Sequence, residues 1–240
     1  MISHRRWLAV LALLFSIWWA ALAIAPTYRQ DWALENVLVV FAVTFVVATY
    51  RTIPFSRVSY TLIFVFLCLH VLGAHYTYSE TPYDEWGRQL FGISVNELFG
   101  LQRNHYDRVI HFTFGLLLAY PVRELFIRVA DTKGFWAYFF PLAVTMASSM
   151  FYEIFEWGAA LIFGGDLGVA WLGTQGDEWD AQKDMAFASL GALIAMSITA
   201  LIYSRLQRDF AREWNASLKV KITRPLGEDE IKRMLEGRKH

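Results

Sequence analysis

Apolar residues in this chain come in blocks, and each block is long enough to cross a bilayer as a helix, which takes roughly 20 residues. Six such blocks occupy about 7–25, 33–50, 57–76, 107–128, 135–163 and 183–205. Polar intervals separate them, the longest over 77–106, and a polar segment rich in Lys and Arg runs from 206 to 240. The pattern predicts an all-α chain: a polytopic membrane bundle of six transmembrane helices over 1–205, then a basic cytoplasmic tail over 206–240. The first block follows His4, Arg5 and Arg6 and ends in Ala-Ile-Ala before Pro26, as a secretory signal would. Its apolar core is longer than the roughly 7–15 residues of such signals, so it reads as an uncleaved span.

Charge sets the orientation. Six spans put both termini on one side. If that side is the cytoplasm, Arg5, Arg6, Arg51, Arg57, Arg123, Arg128, Lys133 and the tail cations lie inside. Arg29, Arg88, Arg103, Arg108 and Lys183 remain outside, as the positive-inside rule requires. The acids run the other way: Asp84, Glu85, Glu97, Asp107, Asp166, Asp177, Glu178, Asp180 and Asp184 fall at or near the outer face. The tail, with Lys219, Lys221, Arg224, Lys232, Arg233, Arg238 and Lys239, then faces the anionic inner leaflet or plain solvent. In a bacterium this describes a multi-pass protein of the inner, cytoplasmic membrane.

Composition adds little. Charged residues make up 18% of the chain, below the roughly 25% of soluble domains. Net charge is zero, and no DNA-binding motif or phosphate-binding glycine loop is visible, so the expected partners are membrane lipids and not nucleic acid. Cys68 is the single cysteine, which excludes an intrachain disulfide and a thiolate metal cluster.

The candidate chemistry lies inside the spans, where ionisable side chains are costly and face the protein interior. His70 lies near the outer end of span three, and His75 follows at its mouth. Asp107 and His111, four residues apart, share a face of span four, and Gly115 continues that stripe. Glu153 and Glu156 share a face of span five with Ser149. Asp180 and Asp184 open span six above Ala188, Gly191 and Ala195, a run of small residues suited to close helix packing. On that reading alone, Gly191→Leu should force the helices apart and Gly191→Ala should be mild. Each pair also has a plain reading: Asp107 with His111 as a helix-start pair, Asp180 as a cap, His75 as a loop residue, Asp177 and Glu178 as a solvated loop face. Glu153 and Glu156 are the exception, because two lipid-facing carboxylates would each cost roughly 2.5–3.5 kcal/mol at a helix centre.

Imidazole and carboxylate brought to one depth by four spans are the ligand set of a divalent cation such as zinc, or of manganese or iron where carboxylates dominate. His111, His70, Glu153 and Asp184 are the candidate ligands. Glu156 is a candidate general base, with Glu153 and Asp107 in support. Asp177, Asp180, Gln175 and His75 are expected to line the pocket, with Gly173 and Gly176 allowing a sharp turn. Interfacial aromatics are expected at Tyr78, Tyr83, Trp86, Phe91, Phe99, Tyr106, Trp157, Trp171 and Trp179. A single amphipathic surface helix is expected over 85–99.

The motifs "YDRVIHFTFGLLLAYPVRE", "EIFEW" and "GTQGDEWDAQKDM" resemble the YjdF-type family of bacterial inner-membrane proteins over nearly the whole chain before the tail. More distantly the chain is similar to the VanZ-like membrane proteins, whose successive helices carry Asp-Lys-x-x-His, Glu-x-x-Gln and Asp-x-x-x-Asn-x-x-Gly. Asp107, Arg108 and His111 match the first with Arg for Lys. Glu153 matches the second, with Glu156 where the Gln would stand. Asp184 and Gly191 match the third, with Ala188 in place of Asn. The resemblances imply an envelope role and supply no activity. The leading expectation is metal-assisted hydrolysis or group transfer on a lipid-linked or envelope molecule. The alternative is a non-catalytic transporter or a headgroup-binding envelope-stress accessory protein.

Overall fold

The computed structural model describes residues 2–163, 174–223 and 227–237. Asp166, Trp171, Gly173, Arg224, Arg238 and Lys239, singled out above, lie outside the described residues. Among the described residues there is no strand. The long helices are α1 (His4–Leu22), α2 (Arg29–Thr49) and α3 (Arg57–His75), followed after two short helices by α6 (Tyr106–Ala130), α7 (Trp136–Phe163) and α8 (Asp180–Leu206). The short pair is α4 (Tyr83–Phe91) and α5 (Val95–Phe99); α9 (Phe210–Ser217) and α10 (Glu228–Gly237) follow the bundle. Five helices, α1, α2, α3, α6 and α8, are long and apolar enough to cross a membrane.

The ends of the helices are written locally. Ser3, Ser56 and Ser94 cap α1, α3 and α5, each accepting a backbone N–H three residues on. Glu124 of α6 takes the Ser56 N–H at 2.8 Å and the Ser59 hydroxyl at 2.6 Å, which ties the start of α3 to α6. The 85–99 segment is two helices rather than the single one expected. Gly92 turns left-handed at φ +69° and ends α4, and Asp84 accepts the Asn96 N–H and the Ser94 hydroxyl to start α5. The Asn96 N–H is also the main cause that holds the Asp84 carboxyl below its ordinary range. Leu90, Phe91, Leu98 and Phe99 are left on the surface of this pair, as an interfacial segment requires.

Large apolar residues cover much of the outside of the bundle, Phe66, Leu67 and Ile110 pack in one inner cluster, and the buried face of α8 is mostly small or polar. Leu13, Phe41, Phe155, Leu161, Leu193 and Leu201 are exposed, while Asp180, Asp184, Ala188, Gly191, Ala192 and Ala195 form the buried stripe of α8. Helix association in lipid relies on close packing of small residues, because apolar burial against apolar lipid gains nothing. The α6–α8 crossing is the extreme case. A Cβ on Gly115 would stand 1.9 Å from the Ala188 carbonyl oxygen, and one on Gly191 would stand 2.1 Å from that of Phe112. Both contacts are with backbone, so the sequence expectation that alanine is mild at 191 is corrected: there is no room for it.

Candidate functional site

The N-terminal ends of α6 and α8 and the C-terminal half of α7 meet at one end of the bundle, called here the acidic end. Asp107 and His111 lie on the first two turns of α6, and His111 Nε2 is 3.7 Å from Asp107 Oδ1. Glu153 of α7 brings Oε1 to 3.4 Å from the same nitrogen. Asp184, 2% exposed on the second turn of α8, completes a group with Asp107 and His111 whose ligand atoms all lie within 4.8 Å of one another. Among the described residues no hydrogen-bond donor reaches the buried Glu153 Oε1 or Asp184 Oδ1. An unsatisfied buried carboxylate oxygen is costly, and these two lie close to the same imidazole. Glu156 is buried one turn from Glu153 on α7.

Above this group sits a clamp of ion pairs. Arg103 holds Asp180 and the Thr174 carbonyl. Arg108 holds Asp177 and reaches Asp180 at 3.3 Å. Lys183 adds a contact to Asp177 at 2.6 Å. Gln175, at φ 47°, locks to Asn104 by accepting its N–H at 3.1 Å and donating to its carbonyl at 3.0 Å. The Asp177 carboxyl is held well below its ordinary range, first by Lys183, then by the Trp179 N–H and Arg108. Burial first, then Arg108 and Arg103, push the neighbouring His105 imidazole down. Asp177 and Asp180 are thus matched by Arg103, Arg108 and Lys183 and close the site from above, while Glu178 is exposed.

Two histidines fall elsewhere than the sequence places them. His75 is 2.8 Å from the Leu22 carbonyl through Nδ1 and joins the ends of α3 and α1, away from the residues that line the cavity. His70 lies outside the Asp107–His111–Asp184 group and anchors a second cluster. Its Nε2 is 3.1 Å from the Glu35 carbonyl, which can only accept, so that nitrogen carries the proton. Nδ1 then accepts from the Tyr78 hydroxyl at 2.6 Å. The Glu35 carboxylate accepts from Tyr152 at 3.0 Å and lies 3.3 Å from the Tyr78 hydroxyl. Nearby, Asp31 accepts from Thr77 at 2.9 Å.

The turn after α3 makes this possible. Thr77 and Tyr78 are both left-handed, at φ 51° and 50°, a strained state for such residues. Gly73 beneath leaves space for the Tyr78 ring, which an added Cβ would approach to 2.5 Å. Tyr78 and Tyr106 are therefore buried rather than interfacial, and Tyr83 stacks on Tyr106.

A cavity of about 130 Å³ joins the two clusters, lined by His70, Tyr78, Asp107, His111, Ser149 and Tyr152 with apolar side chains. Tyr152 spans it, its hydroxyl on Glu35 and its ring 5.7 Å from that of His111. Five helices thus contribute, where the sequence reading had four. Asp31 and Glu35 were missed, although they repeat the four-residue spacing of Asp107 and His111 and stand just ahead of an apolar run.

No solved structure matches the chain. The chain is 38% identical over 183 residues to the inner membrane protein YjdF of Escherichia coli (strain K12), covering 76% of this chain and 83% of that protein. A family model described as "Predicted membrane protein (DUF2238)" matches residues 7–205, and the chain belongs to that family.

Proposed function

We propose that the protein spans the bacterial inner membrane six times, with both termini in the cytoplasm and the acidic end on the outer face. The 28 residues of α7 give about 42 Å of helix, enough for the sixth span. The cations of the short loops favour this orientation, and the relative from Escherichia coli carries the name of an inner membrane protein. Reporter fusions after Gln175 and at His240 should report outside and inside respectively. A cytoplasmic signal at Gln175 would reverse the map.

We infer further that the acidic end is a divalent-cation site. The carrying observation is the Asp107–His111–Asp184 group, in which His111 and Asp184 are buried and Asp107 is half-buried, with orphaned oxygens on Asp184 and on the adjacent Glu153 among the described residues. One nitrogen and several carboxylate oxygens suit zinc, manganese or iron. Such an ion, when bound, would supply Lewis acidity and an activated water for hydrolysis or group transfer on a lipid-linked or envelope molecule. Within the chain, Glu156, buried one turn from Glu153, is the carboxylate we assign to take a proton, and the Arg103–Arg108 clamp restricts entry from above. A conduit through the bundle is the weaker reading, because the α6–α8 seam directly below the site leaves no space even for a methyl group. Elemental analysis of the purified protein should find stoichiometric zinc, manganese or iron. Folded protein free of metal, and unmoved by added metal in a thermal melt, would sink the reading.

A further inference from the structure

A second polar site lies at the opposite end of the bundle, about 24 Å along α6 from Asp107. Arg123 is 6% exposed there. Its guanidinium carbon sits 4.6 Å from the centre of the Tyr138 ring and 4.5 Å from that of Tyr203. Nη2 donates to the Tyr138 hydroxyl at 3.2 Å, and among the described residues Nε has no partner. Among the described residues no carboxylate lies within ion-pair distance of it. Two aromatic faces offset part of the cost of burying a guanidinium, but they do not neutralise it.

Beside Arg123 is a cavity of about 230 Å³ whose walls include Thr132, Lys133, Gly134, Gln207 and Glu213. The Thr132 hydroxyl is also buried without a partner among the described residues. Glu213 is the one acid on these walls, and its two oxygens are taken up by the wall itself. Oε1 accepts the Gly134 N–H at 3.2 Å and Oε2 accepts from Gln207 at 2.6 Å. The Lys133 ammonium stays near the rim with Asp131. The arrangement is closed by α9, whose Phe210 and Trp214 rings pack on Tyr138 and whose Ser217 accepts the Phe135 N–H and the Trp136 indole N–H.

A buried fork-shaped donor without a counter-ion, an orphaned hydroxyl beside it and an ammonium at the mouth complement a tetrahedral oxyanion. We propose that the pocket formed by Arg123, Thr132 and Lys133 binds a phosphate group, carried either by a membrane lipid headgroup at this depth or by a soluble phosphate compound. Arg123 would supply the charge, Thr132 one hydrogen bond, and Lys133 attraction at the entrance. Occupancy would also hold α9 against the start of α7, since both walls belong to the same pocket. The inference does not depend on the cation site at the other end.

The test is thermal melting of the full chain in a neutral, phosphate-free detergent. Inorganic phosphate is titrated against chloride at equal ionic strength, and in a second arm phosphatidic acid is added against diacylglycerol. The parent midpoint should rise with phosphate or with phosphatidic acid and not with their controls. A rise with inorganic phosphate alone assigns a soluble ligand, and one with phosphatidic acid alone assigns a lipid. Arg123→Gln should abolish the response. If that variant fails to fold, Thr132→Val decides, because losing one hydrogen bond to a charged group should weaken the response roughly tenfold while Arg123 remains. No shift of the parent in either arm, or an undiminished response in Thr132→Val and Lys133→Gln, would overturn the proposal.

Discussion

Gly191→Ala should lower the melting midpoint of the purified protein sharply, and Gly115→Ala should do the same. The added Cβ at 191 would lie 2.1 Å from the Phe112 carbonyl oxygen and 2.7 Å from the Leu116 nitrogen; at 115 it would lie 1.9 Å from the Ala188 oxygen and 2.7 Å from the Ala192 nitrogen. These are main-chain atoms, so no side chain can turn aside and the helices themselves must part. Parting would loosen Ala119, Ala192, Ala195 and Met196, the buried cluster just below. Overpacking of this kind costs about 3 kcal/mol, or roughly 6–12 °C for a domain of this size. Gly158→Ala is the internal control. Among the described residues nothing lies within 4 Å of its added Cβ, and alanine is the better helix former, so it should be neutral or slightly stabilising. Equal midpoints for Gly191→Ala and the parent would mean that α6 and α8 cross more widely.

What could be read beforehand follows from which forces are local. Apolar runs place α1, α2, α3, α6 and α8 to within a few residues, because span length is imposed by the bilayer. The i,i+4 spacing of Asp107 with His111 put both on one face, since the helix period alone decides that. The small stripe of α8 was equally legible, but not how closely it is approached, which is set by the backbone of α6. Tyr78 shows the other limit. Its burial depends on two consecutive left-handed residues, Thr77 and Tyr78, and neither residue type announces that conformation. With it went the partner of His70, and so the assignment of His70 to a second cluster. Asp31 and Glu35 were a different failure. They lie at the head of α2, where acids read as a solvated helix start, yet they are 2% and 5% exposed.

Loss of the imidazole in His111→Ala should remove bound metal and leave the fold in place. His111 is the only nitrogen in the Asp107–His111–Asp184 group, and Glu153 approaches the group through that ring, at 3.4 Å. Without it the remaining donors are carboxylates, which repel one another when charged and hold a borderline cation less well. Changing even a residue that only orients a ligand costs metal affinity about 10–100-fold, so loss of a direct ligand should cost at least about 100-fold. A purely structural cluster makes the opposite prediction. If His111 serves to neutralise Asp107 and Glu153, its removal leaves buried charges unpaired and costs about 3–5 kcal/mol. Melting with and without a chelator separates the two. A protein holding metal at 100 times its Kd is stabilised by about 2.7 kcal/mol, so chelation should lower the parent midpoint by several degrees. His111→Ala should start near the chelated parent and not respond to the chelator. Glu153→Gln, which retains the imidazole and both aspartates, should respond at a higher metal concentration. If His111→Ala instead melts far below the chelated parent, while the parent ignores chelation, the carboxylates are paired for packing alone and the cation reading fails.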